Sequence, residues 1–172
     1  MAAIRYAFRD PRMDLRFLML GAVLPGLIDT PIGLFGWDRF GNLRLYAHTL
    51  VFGAALMVAV LVTTRRGRPR KRWMPVAVGV LMHLVLDAMW RQPETLWWPF
   101  LGWELSRTGF ATAGEYVRSV VTDWTTWALE AVGLAYLVVL GVRSGLADAE
   151  ARRGFLSTGV VTAPIGRDQS AR

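Results

Sequence analysis

The two histidines of the chain are the residues whose type and spacing most directly suggest chemistry. His48 and His83 both fall within long apolar windows, and Asp87 follows His83 by four positions. Four positions are about one helical turn, so His83 and Asp87 share one face of a helix. Asp29 ends another apolar window and Glu130 lies inside a further one. Ionisable groups inside such windows are costly to bury, so each needs a functional or structural explanation.

Imidazoles and carboxylates together suit a divalent metal, with Zn²⁺ first and Mn²⁺ or Fe²⁺ as alternatives. We therefore predict a metal site formed by Asp29, His48, His83 and Asp87. The same groups could bind nothing, and could instead pack helices through hydrogen bonds or carry protons. Taken singly, Asp29 and His48 are also explained as interfacial residues at helix ends. Convergence of all four favours a site.

Four apolar windows must position these residues, and they cover positions 15–28, 46–64, 73–90 and 124–142. A helix needs about 20 residues to cross ~30 Å of hydrocarbon, and the second and fourth windows reach that length. The third is slightly short but is bracketed by Trp73 and Trp90, an aromatic-belt pattern. The first is short and contains Pro25 and Gly26. The pattern predicts an all-α polytopic membrane protein with a four-helix transmembrane bundle.

Composition excludes several other classes of protein. The chain has 172 residues, of which 53% are hydrophobic, and its net charge is +7. This content is too apolar for an ordinary small soluble domain and for a disordered chain. Cysteine is absent, which removes disulfide scaffolds, thiolate metal sites and cysteine nucleophiles.

Basic residues alternate between the segments that flank the windows. Lys and Arg number four in residues 1–16, two in 29–45, six in 65–72, three in 91–123 and five from 143 onward. The positive-inside rule then places both termini and the 65–72 segment in the cytoplasm, with the protein in the inner (cytoplasmic) membrane. This orientation puts the five polar groups in the outer third to half of the bilayer, as a pocket open to the extracytoplasmic side would require.

The remaining segments complete the predicted organisation. Residues 1–145 form a single membrane domain, and residues 146–172 form a cytoplasmic, largely disordered tail. The stretch Thr95–Leu105 is aromatic but too short to span, so we expect it in the outer interface. The 65–72 segment is interpreted chiefly as a topology determinant, with binding of anionic lipid as the alternative.

Four stretches carry a resemblance to a known family. They are GAVLPGLID (21–29), AHTLVF (47–52), GVLMHLVLDAM (79–89) and PETLWWPFLGW (93–103). Together they resemble the inner-membrane-associated metal-dependent hydrolase family, also described as LexA-binding and YdjM-like. The family pattern has a P-D-x-D-like motif, a T-H-S-like motif, and H-x-x-x-D before a W-P-F-like turn.

The resemblance implies roles for matching positions. Asp29 matches the last carboxylate of the first motif, His48 the histidine of the second, and His83 with Asp87 the H-x-x-x-D pair. The chain departs from the pattern at Gly26, where the first Asp is expected, and at Leu43 and Arg44, where a histidine is expected. One metal, rather than several, is consistent with these departures.

The predicted function is a membrane-embedded metal-dependent hydrolase. The family is similar in its motifs to zinc phospholipase C, which implies a phosphoester or another amphiphilic substrate, and either Glu94 or Glu130 could be the general base. Expected partners are membrane lipids and an amphiphilic small molecule. The alternative is a non-catalytic four-helix scaffold or small transporter that uses the same groups for packing or proton coupling. Nucleic acid is not expected, because no DNA-reading motif is visible.

Overall fold

A computed structural model describes residues 14–159 except Ser144, and within them the chain is helical without strands. The helices are α1 (Leu15–Phe35), α2 (Trp37–Phe40), α3 (Leu50–Thr63), α4 (Arg68–Leu86), α5 (Pro93–Leu96), α6 (Ala113–Thr122), α7 (Trp124–Arg143) and α8 (Ala149–Thr158). Two short 3₁₀ turns lie at Tyr46–His48 and Met89–Arg91. The predicted all-α class is confirmed.

The chain divides into two compact units. One comprises Arg16–Thr122 and holds nearly all of α1 together with α2 to α6. The other includes Leu15 and the chain from Asp123 onward, with α7 and α8. All predicted site residues except Glu130 belong to the first unit.

Two of the described helices are long and apolar enough to cross a membrane. Leu15–Phe35 has a mean hydropathy of 1.7 and Trp124–Arg143 one of 1.6. Helix α3 is apolar but has only 14 residues, and α4 begins with the basic residues of the 65–72 segment. The predicted bundle of four spans is therefore not confirmed, because the second and third windows do not form helices of the expected length and composition.

The second window departs from a continuous helix at its start. Residues Tyr46–His48 form a 3₁₀ turn, and Thr49 is extended, with φ −94° and ψ 150°. The Thr49 hydroxyl accepts a hydrogen bond from the backbone N–H of Phe52 at 3.0 Å, which caps α3. The regular helix thus begins at Leu50, four residues later than the window predicted.

Close backbone contact joins α1 to α4. A Cβ added at Gly21 would lie 2.1 Å from the Val76 carbonyl oxygen, and one at Gly79 would lie 2.4 Å from the Leu18 carbonyl oxygen. Only glycine permits such an approach, which is the small-residue packing common between membrane helices. Helix α3 packs on α4 in a related way, since a Cβ at Gly53 would meet the Leu81 side chain at 2.6 Å.

Helix α4 ends one turn beyond His83. The backbone N–H of Asp87 donates to the His83 carbonyl at 2.8 Å, and Ala88 then adopts a left-handed conformation with φ +53°. A left-handed residue terminates the helix and redirects the chain. The third window was expected to be helical to Trp90, but the helix stops at Leu86.

The aromatic segment and the tail complete the description. Trp97, Phe100 and Trp103 are exposed, and the interfacial position of their segment stays a prediction. The predicted tail contains α8, whose N-terminus Asp148 caps by accepting from the N–H groups of Glu150 and Ala151. The N-terminal arginines at 5, 9 and 12 and positions 160–172 lie outside the described residues, so the predicted placement of the termini and the largely disordered tail stay predictions.

Candidate metal centre

Asp29 organises the turn that carries the first histidine. Its side chain is fully buried on α1. Oδ2 accepts hydrogen bonds from the backbone N–H groups of Leu45 (2.8 Å) and His48 (3.1 Å), and Oδ1 accepts from that of Ala47 (3.1 Å). The carboxylate thus takes the place of the carbonyl groups that would accept these N–H groups in an α-helix. This explains why the second window does not begin as an α-helix. The charge of a buried carboxylate is compensated by such donors.

The same carboxylate orients the His48 ring. His48 Nδ1 lies 2.7 Å from Asp29 Oδ2, and the imidazole is almost completely buried. An ionised carboxylate only accepts hydrogen bonds, so beside an ionised Asp29 the His48 proton lies on Nδ1, and in a neutral imidazole Nε2 then has the lone pair. Carboxylates hold metal-ligating histidines in this way in many proteins.

His83 lies next to Nε2 of His48. The two Nε2 atoms lie 3.1 Å apart, with ring centroids at 5.1 Å and an interplanar angle of 63°. When one of the two Nε2 atoms carries a proton, the contact is a hydrogen bond between the rings. When neither carries one, two lone pairs face each other, and a cation between them would remove their repulsion.

Asp87 approaches the pair from the end of α4. Its Oδ2 lies 3.9 Å from His48 Nε2. Arg44 binds the carboxylate in a bidentate manner. Its Nε donates to Oδ2 at 2.5 Å, and one terminal nitrogen donates to Oδ1 at 2.8 Å. Burial alone would lower the pKa of Arg44, but the hydrogen bond and charge of Asp87 raise it above its ordinary value. The guanidinium therefore remains charged.

The three side chains are close enough together to hold a metal ion. One ligand atom from each of His48, His83 and Asp87 can be chosen so that all lie within 4.8 Å of one another. Bonds of about 2.0–2.2 Å to a tetrahedral zinc separate neighbouring ligand atoms by about 3.3–3.6 Å. The observed 3.1 Å and 3.9 Å lie on either side of this value. Three protein ligands leave one coordination position open, as in catalytic zinc sites.

Asp29 does not belong to this group. The sequence placed it among four metal ligands, whereas the structure places it on the other side of the His48 ring, with its oxygens engaged by N–H groups. Its position suits an orienting residue rather than a ligand.

The two predicted general bases are not among these three residues. Glu94 is exposed, and its Oε2 accepts a 2.7 Å hydrogen bond from the Ser106 hydroxyl, which lowers the pKa of Glu94. A lower pKa makes a carboxylate a weaker base. Glu130 is exposed on α7 in the other unit.

A cavity of about 270 Å³ opens beside the cluster. Its wall combines the polar cluster with aliphatic side chains, and it consists of Thr30, Leu43, Arg44, His48, His83, Asp87, Tyr116, Val117, Val120 and Val121. Glu94, in the same unit, does not contribute to it.

Sequence reasoning missed Arg44 and Tyr116 as parts of the site. Arg44 was counted among the basic residues of its loop and noted as a departure from a family motif. The terminal nitrogen that does not bind Asp87 donates to the Tyr116 hydroxyl at 3.2 Å. Buried Asn42 helps to place Arg44, because its Oδ1 accepts the backbone N–H of Arg44 at 3.1 Å and its Nδ2 donates to Gln92 at 3.0 Å. A basic residue in a loop otherwise poor in basic residues was the one available signal.

The profile of a family described as "YdjM inner membrane protein" matches residues 1–157. The chain belongs to this family. The family resemblance seen in the sequence is thereby confirmed, and so is the inner-membrane character of the protein. No curated protein and no solved structure matches the chain. In this YdjM-family protein, the described helices α1 and α7 have the length and the composition of spanning helices.

Proposed function

We propose that this protein is a metal-dependent hydrolase of the inner membrane. His48, His83 and Asp87 would hold one divalent ion, zinc first and manganese or iron as alternatives. The substrate would be a phosphoester or another amphiphile. The observation that carries the proposal is the convergence of the three ligand atoms, with His48 Nε2 on the edge of the ring away from Asp29 and 3.1 Å from His83 Nε2.

The charges of the cluster support a cation. Asp29 and Asp87 contribute two negative charges and Arg44 one positive charge, so the cluster carries one net negative charge when both imidazoles are neutral. Buried carboxylates resist desolvation, and a divalent cation relieves that cost. With the ion in place the cluster would carry one net positive charge, which favours an anionic substrate.

The cavity supports catalysis rather than a closed structural site. When bound, the ion would polarise a phosphoryl or acyl oxygen and lower the pKa of a water molecule. Its open position would face a space with polar and aliphatic walls, which suits an amphiphile. We do not assign the general base to Glu94, because its hydrogen bond with Ser106 weakens it as a base. Glu130 remains the sequence-based candidate.

The proposal includes a topology of four crossings with both termini cytoplasmic. Helices α3 and α4 would supply the other two crossings, although α3 is short and α4 begins with basic residues. The alternation of basic residues between segments favours this arrangement. It would open the metal cluster toward the extracytoplasmic side, near the lipid from which an amphiphile would enter.

Elemental analysis of detergent-purified protein tests the proposal. We expect about one zinc, manganese or iron per chain in the wild type, and loss of that metal in His83→Ala. Glu130→Gln and Asp38→Asn are controls that should keep it, since Asp38 is an exposed carboxylate outside the cavity wall. Full metal content in a His48→Ala/His83→Ala double variant would overturn the site. A wild type without metal would favour the non-catalytic scaffold or transporter.

Hydrolysis needs its own measurement. Metal-loaded wild type should release 4-nitrophenol from a 4-nitrophenyl alkyl phosphate, and His83→Ala should not. Metal-loaded protein that cleaves neither this diester nor the corresponding 4-nitrophenyl carboxylic ester would overturn the hydrolase assignment while leaving the metal site standing.

A further inference from the structure

Arg44 has hydrogen-bonding capacity that its protein partners do not use. A guanidinium offers five N–H donors. Two are taken by Asp87 and one by Tyr116. Within the described part of the chain, the structure gives the side chain no further acceptor, and 29% of it is exposed. Because Arg44 lines the cavity beside His48 and His83, the remaining donors are available to a molecule inside it.

Helix α6 gives the same cavity an apolar wall. Val117, Val120 and Val121 stand three and four residues apart, so they share one face of the helix. They line the cavity, yet their exposed fractions are 41%, 37% and 53%. Such a strip of aliphatic surface next to a charged cluster is suited to the hydrocarbon part of a ligand.

Tyr116 connects the polar and apolar sides. Its hydroxyl accepts the hydrogen bond from Arg44 at 3.2 Å, and its ring packs against Trp37 and Phe110, each at a centroid distance of 5.7 Å. The tyrosine therefore holds the start of α6 against Trp37 of α2 and keeps the valine face beside the guanidinium.

We infer that Arg44 is the residue that recognises the anionic head of the substrate, and that the head is a phosphoryl group whose hydrocarbon chain lies against the valines of α6. The inference rests on the proposed metal centre, because the cluster needs the divalent ion to become net positive. Arginine suits this role, since its planar fork matches tetrahedral oxyanions through two parallel hydrogen bonds. Bound to Asp87 at one edge, the guanidinium is already immobilised.

Binding of two non-hydrolysable phosphonates tests the inference. Dodecylphosphonate carries head and chain, and methylphosphonate carries the head with only one carbon. Both are titrated into zinc-loaded protein in dodecyl maltoside, a neutral detergent, by isothermal titration calorimetry. Zinc is measured in every sample, so that loss of the ion is separated from loss of the anion. We expect the wild type to bind both, with dodecylphosphonate the tighter.

Arg44→Lys keeps the positive charge beside Asp87 but removes the fork. It should retain zinc and weaken both phosphonates by at least about tenfold. Arg39→Lys is the matched control, because Arg39 is exposed and contacts the Phe40 ring rather than the cavity. That control should bind both phosphonates as the wild type does.

Val117→Ser tests the chain-binding wall. It should weaken dodecylphosphonate by about threefold or more and leave methylphosphonate unchanged. Val132→Ser, at an exposed position on α7, is the control and should change neither. Equal losses for both phosphonates in Val117→Ser would overturn the assignment of the chain to this wall.

The outcomes separate this inference from the proposed function. Zinc at full occupancy with unchanged phosphonate affinity in Arg44→Lys would overturn the role of Arg44 and leave the metal centre intact. A wild type that binds no divalent metal would overturn both. If methylphosphonate bound as tightly as dodecylphosphonate, the site would recognise free phosphate rather than an amphiphile. That result would overturn the inference that the ligand carries a hydrocarbon chain.

Discussion

His48 Nδ1 lies 2.7 Å from Oδ2 of Asp29, and the carboxylate behind the ring is wholly buried. The same oxygen accepts the backbone N–H groups of Leu45 and His48. One side chain on α1 therefore sets both the fold of the 3₁₀ turn and the orientation of the imidazole it carries. Because the proton is held on Nδ1, the nitrogen that faces His83 is free to bind a cation.

Asp29→Asn should separate orientation from ligation. The amide retains one acceptor but presents an NH₂ group to donors, so the turn loses part of its support. We expect zinc affinity to fall by about 10- to 100-fold without being abolished, as for other orienting partners of metal-bound histidines. Competition with a fluorescent chelator measures it. Affinity equal to that of the wild type would show that Asp29 does not orient His48.

Asp87→Asn should have a larger effect on the metal. It preserves the shape of the side chain but removes the negative charge that would face the cation and that pairs with Arg44. We expect zinc affinity to fall by more than in Asp29→Asn, because a ligand is weakened directly. Asp38→Asn, at an exposed position on α2, serves as the control in the same chelator assay. If Asp87→Asn bound zinc more tightly than Asp29→Asn, the roles assigned to the two carboxylates would be reversed.

Ser106→Ala should affect Glu94 and leave the cluster unchanged. The Ser106 hydroxyl stabilises the ionised carboxylate and so lowers the pKa of Glu94. Its removal should raise that pKa toward the ordinary glutamate value, which NMR titration of the carboxyl carbon detects. Metal content and hydrolysis at neutral pH should stay the same, since Glu94 is ionised in both proteins. A marked loss of hydrolysis would return Glu94 to consideration as a base.

Reporter fusions should decide the number of crossings. A periplasm-dependent reporter should be active after positions 36 and 110 and silent after 68 and 160, if all four predicted crossings form. If α1 and α7 alone cross the membrane, position 68 would lie on the same side as 36 and its fusion would be active. A silent fusion at 36 would remove the first crossing and the proposed depth of Asp29.

The 65–72 segment contains at least one arginine with specific contacts. A terminal nitrogen of Arg70 donates to the carbonyl oxygens of Leu61 and Thr64 at 2.7 and 2.6 Å, which satisfies the C-terminal end of α3. Replacing every arginine of the segment by lysine should keep the topology, because the charge count is unchanged.

Within that series, Arg70→Lys should lower the free energy of unfolding by about 1 kcal/mol, because one ammonium cannot reproduce both bonds in the same geometry. Arg66→Lys, at an exposed position, is the control. Thermal unfolding in detergent compares the two variants. Equal midpoints would mean that Arg70 acts through charge alone, like its neighbours.

Much of this protein could be predicted from side-chain type and spacing. The apolar windows predict helices because burial and helical periodicity depend on local sequence, and the family assignment agrees with the membrane character they imply. His83 and Asp87 were predicted to share a face because their spacing matches one turn, and the structure places both beside His48.

Tertiary structure decided which polar groups meet and in what role. The structure places Asp29 outside the group of His48, His83 and Asp87, because its oxygens accept backbone N–H groups of an irregular turn. Those donors cannot be recognised from the pattern of side chains in the sequence. Arg44 lies beside the histidines because it binds the carboxylate of Asp87, which is 43 residues away in the sequence. Helical periodicity cannot predict such a pairing. Local spacing fixes which residues share a helix face, but contacts between distant segments depend on how the helices pack, here through Gly21 and Gly79.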